Sequence, residues 1–165
     1  MIRGAIRRTF SRSPIVREVL MSGRREVPKF NKDGSLAKKP AVQYQCQVCS
    51  IWTGSTKVVV DHINPVISVE DGFRDWNTFV DRLFCDKSNL QRICDPCHDQ
   101  KTATERFDRS FKKDQETLSK LETSISTNED FKKFLKKFTK KKLAHYPQDW
   151  QDRIKHSKLK HGMKV

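Results

Sequence analysis

The sequence predicts an α+β fold: a small module of two strands and a helix, closed by a four-cysteine metal site and flanked by basic, helical extensions. Three observations predict it. Two Cys-x-x-Cys pairs, Cys46/Cys49 and Cys94/Cys97, have 44 residues between them. Two short strand-like segments bracket an amphipathic stretch, and the second runs straight into a helix-start signal. The charge is partitioned: residues 1–40 hold 11 basic and 3 acidic side chains, 41–106 hold 7 and 9, and 107–165 hold 16 and 8. These three segments are the expected domains: an N-terminal extension with a short helix, a compact chemical module, and a helical C-terminal extension.

The bulk composition narrows the function classes. With 35% apolar residues in 165, one generous core is not expected. A net charge of +14 makes polyanions the expected partners, nucleic acid before anionic membrane. No apolar run approaches the length of a transmembrane helix. No apolar stretch follows the basic N-terminus as a secretory signal would require. Glu18 and Glu26 interrupt that basic run, which argues against an organellar leader. The expected location is cytoplasmic.

In chain order, Ser13-Pro14 is a helix start, with Ser at N-cap and Pro at N1. The helix runs through Ile15, Val16, Val19 and Leu20 and stops at Gly23. From Arg24 to Pro40 the chain is polar and Pro/Gly-punctuated, hence loop or linker. Tyr44 to Ile51 is a cysteine knuckle between short strands. Lys57 to Ile63 is β-branched, hence a strand, limited by Asn64-Pro65. Phe73, Trp76, Phe79, Val80, Leu83 and Phe84 form a helical stripe. Asn89 to Ile93 reads as a second strand. Asp95-Pro96 then starts a helix, with Cys97 and His98 in its first turn, that runs to about Phe107 or Phe111. Phe131, Phe134, Leu135 and Phe138 form the apolar side of a last helix reaching Lys142.

Two thiolates separated by two residues bind one zinc without strain, and two such pairs complete a tetrahedron. Redox dithiols or a disulfide fit less well, because no secretory signal is present and redox motifs usually come singly. A module of this size is marginal on its own core, and a structural zinc contributes to its folding on the order of 10 kcal/mol. Cys85 is a half-buried thiol without an assigned role.

Asp61-His62 and Asn89 lie between the cysteine pairs, and His98 follows Cys97. Singly, each has an ordinary structural explanation. Together, on a hairpin and the first turn of the helix across it, they form a pattern. The matching text is Cys46-Gln47-Val48-Cys49, Val60-Asp61-His62-Ile63-Asn64-Pro65, and Asn89 through Thr102. Over residues 41–106 the sequence resembles the HNH endonucleases of the ββα-metal fold in their zinc-bound form. It is most similar to small HNH proteins encoded by bacteriophages, and its long basic arms resemble those of free-standing homing endonucleases.

The resemblance implies a metal-dependent DNA endonuclease leaving 5′-phosphate and 3′-hydroxyl ends. His62 would be the general base. Asp61 and His98 would hold one divalent cation, Mg²⁺ or Mn²⁺. Asn89 would hydrogen-bond the loop carrying His62. Cys46, Cys49, Cys94 and Cys97 would hold the structural Zn²⁺. The chemistry needs these types: a cation neutralises charge on the phosphate, and a neutral imidazole accepts the proton of water near neutral pH. Because adjacent strand residues face opposite ways, Asp61 and His62 share a site only where the strand bends, and Asn64-Pro65 offers that end.

Lys101 and Arg106 follow on the same helix and are candidate phosphate contacts. So are Lys132, Lys133, Lys136, Lys137, Lys140 and Lys141 on the polar side of the last helix, while Arg3, Arg7, Arg8 and Arg12 can enter a groove. His145, His156 and His161 read as surface residues. The expected partner is double-stranded DNA, with a homodimer as one route to double-strand cleavage and no membrane. Two alternatives stand beside a homing role: a packaging or restriction nuclease acting with partners such as phage terminase, and a zinc-dependent DNA-binding protein without catalysis.

Overall fold

The computed structural model describes residues 2–165. The fold is α+β, with two compact units, Met1–Arg106 and Phe107–Val165. The elements of the first are α1 (Ile2–Phe10), α2 (Pro14–Met21), β1 (Arg24–Val27), β2 (Ala41–Gln45), β3 (Trp52–Gly54), β4 (Val58–His62), α3 (Trp76–Leu83) and β5 (Leu90–Cys94). Helix α4 (Asp95–Thr123) begins in the first unit and ends in the second, which adds α5 (Asn128–Leu135), α6 (Lys140–Leu143) and α7 (Gln148–Lys160).

Of the stretch expected to be loop or linker, Arg24–Val27 is a strand and residues 28–40 are loop. β1 pairs antiparallel with β2, from Arg24 opposite Tyr44 to Val27 opposite Ala41, and β2 pairs with β3. The expected boundary at residue 40 is therefore inside a hairpin. Three of four β1 residues are exposed, so no apolar alternation announces the strand. Cross-strand pairs hold it: Arg25 donates to the Gln43 carboxamide oxygen at 2.7 and 3.0 Å and lies 4.0 Å from the Trp52 ring centroid. Gly34 turns the connecting loop with φ +82°, where other residues are strained.

β4 and β5 form the second sheet, in register from Val58 opposite Cys94 to His62 opposite Leu90. The Val60 face of β4 packs on a core of Phe10, Val19, Val66, Phe79, Leu83 and Leu90. Asp75 caps α3, accepting from the Thr78 N–H at 2.8 Å, so the helix starts after Phe73.

Arg92 of β5 ties these pieces together. It is 7% exposed, and its guanidinium donates to the carbonyls of Val19 (2.6 Å) and Gln45 (3.2 Å) and to the Ser22 hydroxyl. Gly23 is required beside it: a Cβ there would lie 2.3 Å from the guanidinium carbon. Because that guanidinium is pinned, Gly23→Ala should destabilise the unit by about 1–3 kcal/mol, read as a lower urea midpoint. An unchanged midpoint would mean that Arg92 swings away freely.

The second unit has an aromatic-rich core of Leu118, Phe134, Leu135, Phe138, Leu143, Tyr146, Trp150 and Ile154. Two sequence expectations are corrected here. α4 continues to Thr123 rather than ending near Phe111, because Phe107, Phe111 and Leu118 carry its apolar side onward beneath polar residues. The helix expected through Lys142 is broken. A reciprocal Thr127/Asp130 capping box starts α5, and Thr139 caps a separate α6. The break lets Phe138 turn fully inward and keeps Lys142 out of the core.

Lys137 is also corrected. Its ammonium pairs at 2.5 Å with Asp114, a carboxylate that is almost fully buried and also accepts from the Tyr146 hydroxyl at 2.8 Å. Burial and the Asp114 charge push the Tyr146 hydroxyl up to about 12, so it remains a donor. Lys137 is thus the counter-ion of a buried acid. Lys133, Lys136, Lys140 and Lys141 are exposed, and Lys132 pairs with Glu129 at 3.3 Å. His145 and His156 are exposed, but His161 stacks on Phe131 at 4.2 Å and bonds Asn128 at 2.7 Å.

Candidate metal centre

The first cysteine pair sits in the turn between β2 and β3, and the second spans the end of β5 and the first turn of α4. Two backbone bonds close the first knuckle: Cys46 N–H to the Ile51 carbonyl and Ser50 N–H to the Cys46 carbonyl, both 2.9 Å. Ser50 takes φ +61° to complete the turn. Gln47 joins this knuckle to β5. Its N–H donates to the Arg92 carbonyl at 2.9 Å, and its carboxamide oxygen accepts from the Arg92 N–H at 2.7 Å.

The result is a sulfur cluster. The Sγ atoms of Cys46, Cys49, Cys94 and Cys97 lie within 4.8 Å of one another, and Cys49 and Cys94 are 3.7 Å apart. Four thiolates at ~2.3 Å from a tetrahedral zinc have sulfurs about 3.8 Å apart. Among the described residues this is the one cluster of three or more metal-ligating side chains. It can bind a metal ion such as zinc.

The electrostatics suit a dication. Burial opposes ionisation of Cys46, but the backbone N–H groups of Cys49, Cys94 and Val48 outweigh it and lower its thiol to about 6. Its neighbours then resist a second negative charge. The Cys94 interaction, burial and the remaining sulfurs raise Cys97 to about 12. A positive ion among the sulfurs would offset that repulsion.

Asp61 and His62 lie on β4, Asn89 in the turn before β5, and His98 in the first turn of α4. Asn89 accepts from the Asn64 N–H at 2.8 Å through its side chain, and its backbone carbonyl takes the Ile63 N–H at 2.8 Å. It therefore grips the loop that follows His62. His98 is half-buried in the first turn of α4. Lys101 and Glu105 lie one and two turns further on the same face.

The structure separates Asp61 from His62. Pairing in β4 continues through His62, so the strand bends one residue too late to bring the two together. Asp61 faces α4, with its carboxylate 2.8 Å from the Lys101 ammonium, which also pairs with Glu105 at 2.7 Å. Burial opposes the Lys101 charge, but these two carboxylates outweigh it and raise its pKa. Lys101 is thus an internal counter-ion in this structure rather than a free phosphate contact, whereas Arg106 is exposed.

His62 faces the other way, into the core, and is 7% exposed. Its Nε2 lies 2.9 Å from the Leu83 carbonyl, so that nitrogen carries a proton, which leaves Nδ1 as the acceptor of a neutral ring. The Phe10 ring lies 5.1 Å from the imidazole. Sequence reasoning missed Leu83 and Phe10, which no local pattern links to His62. The Lys101–Glu105 pair was readable from its i, i+4 spacing. Cys85 is half-buried in the wall of a cleft lined by Asn64, Pro65, Ser68, Arg82 and Asn89.

Comparison with known proteins returned no matching family model, no matching curated protein and no matching solved structure.

Proposed function

We propose that the chain is a metal-dependent endonuclease acting on double-stranded DNA, with a structural zinc on the four cysteines. The observation that carries the reading is the arrangement on β4, β5 and α4. A hairpin followed by a helix carries Asp61, His62, Asn89 and His98 in that order, with Asp61 and His62 on opposite faces of β4; the end of β5 and the start of α4 supply two of the four clustered sulfurs, and Asn89 fixes the loop after His62.

Zinc on the four thiolates supplies the link between the knuckle and β5–α4 that a small core lacks. Asp61 and His98 are the donors for a divalent cation, which when bound neutralises charge building on the phosphate and on the departing 3′ oxygen. His62, held as the Nε2–H tautomer by Leu83, takes the proton of the attacking water at Nδ1. Asn89 keeps the loop from carrying His62 out of line. A cation held by Asp61 would take the place of the Lys101 ammonium there, and Lys101 would keep Glu105 as its partner.

A second reading is a zinc-dependent DNA-binding protein without catalysis. The burial of His62 and the ammonium on Asp61 favour it. Asp61→Ala separates the two. Outer-shell partners of metal ligands cost 10–100-fold when removed, so loss of this ligand should weaken Mn²⁺ binding about 100-fold or more, read by electron paramagnetic resonance on zinc-loaded protein. DNA cleavage should fall with it. An Asp61→Ala protein that binds Mn²⁺ and cuts like wild type would overturn the assignment.

A further inference from the structure

We propose that α1 is a cover over His62, and that phosphates of bound DNA draw it off through its arginines. The proposal rests on the reading of His62 as the general base, and concerns the regulation of that same site.

One aromatic side chain of α1 lies directly against the His62 ring. Phe10, the last residue of α1, lies 5.1 Å from the imidazole and edge-on to Phe84 at 5.3 Å. It is the one buried residue of α1, and Ile6 alone supports it as a half-buried neighbour from the same helix. His62 itself is held independently, by strand pairing with Leu90 and by the Leu83 carbonyl. Lifting Phe10 off would therefore open the Phe10 side of the ring without releasing it from β4 or from the Leu83 carbonyl.

The attachment of α1 is of the weak kind. Nine residues make a marginal helix on their own, and Gly4 weakens it further. Arg3 and Arg7 reach their neighbours through ring faces, with guanidinium carbons 5.0 Å from the Phe73 centroid and 5.5 Å from the Phe79 centroid. α1 contains no acidic residue, and among the described residues Arg3, Arg7 and Arg8 form no ion pair. A solvent-exposed cation–π contact is replaceable, and phosphate is the better partner because it offers the guanidinium paired, charge-assisted hydrogen bonds. A polyanion that engages these arginines competes directly with the contacts that seat Phe10. Duplex DNA, the proposed substrate, is such a polyanion, so the base is exposed when substrate arrives and shielded otherwise.

The test measures His62 without relying on cleavage. Full-length, zinc-loaded protein is treated with diethyl pyrocarbonate, and modification of His62 is followed by peptide mass spectrometry, with His98 as the internal reference. In wild type, His62 should react slowly. Heparin, a polyanion that is not a substrate, should accelerate its modification at least 10-fold. Arg3→Ala/Arg7→Ala/Arg8→Ala should lose that response, and Phe10→Ala should react fast without heparin. His62 modification unaffected by heparin in wild type overturns the cover, as does slow modification in a folded Phe10→Ala protein. If the cover responds as described but no variant cuts DNA, the nuclease reading fails while the cover stands.

Discussion

Cys46→Ser should leave a chain that does not retain zinc and does not hold the tertiary structure around the four cysteines. The size of the effect follows from how little else closes this region. The core around the sulfurs contains Cys46, Ile93 and Cys94, with Cys49 and Cys97 against it. A structural zinc is worth about 10–16 kcal/mol, comparable to the whole stability of a domain at about 5–15 kcal/mol. Cys46 is the worst cysteine to lose: its sulfur also accepts the Cys94 N–H, and its thiol is the one that ionises first. Serine offers neither a soft donor nor an anion at neutral pH. Zinc content and the near-ultraviolet signal of Trp52 and Trp76 should fall together. The core of the second unit contains no cysteine, so helical signal from residues 107–165 should persist. A folded, zinc-loaded Cys46→Ser protein would end the four-cysteine assignment.

His62→Gln should slow cleavage by about 10²–10⁴-fold, the usual contribution of a positioned general base, while zinc content and DNA affinity stay close to wild type. Glutamine is the informative replacement because its amide can still donate to the Leu83 carbonyl but cannot take a proton. Alanine would confound the result. It would leave that carbonyl without its donor, at about 1–3 kcal/mol, and open a cavity under Phe10. Rates on a nicking substrate, compared with thermal midpoints for the same preparations, separate chemistry from stability. A His62→Gln protein that cuts at the wild-type rate would show that His62 is only a satisfied core histidine.

Much of the first unit was legible because its signals are local. The Cys-x-x-Cys spacing, the Val58–Val60 run and the Asp95-Pro96 start each need only a few adjacent residues. β1 was not legible: Arg24, Arg25 and Glu26 are exposed and charged, and only Gln43 and Trp52 across the sheet make them a strand. α1 carries Gly4, and its placement depends on Phe10 reaching Val66, Phe79 and Leu83, all more than 50 residues on in sequence. The length of α4 was hidden by Asp114, a buried acid whose partners Lys137 and Tyr146 come from later segments. The break after α5 was readable in principle, from Thr139 as a cap and from Lys142 falling on the apolar side. The orientation of His62 was the hardest to foresee. It turns on whether pairing stops at Asp61 or runs one residue further, and a single residue of register reverses a side chain.

Hydrolysis of DNA by the zinc-loaded chain is read on supercoiled plasmid. Incubated with Mg²⁺ or Mn²⁺, the wild-type protein should convert supercoiled plasmid to nicked or linear forms with 5′-phosphate and 3′-hydroxyl ends. Chelator in excess of the added Mg²⁺ or Mn²⁺, under conditions that spare the tightly held zinc, should stop it. Plasmid that is bound and retarded, yet stays supercoiled with either metal, would contradict the account and leave a zinc-dependent DNA-binding protein in its place.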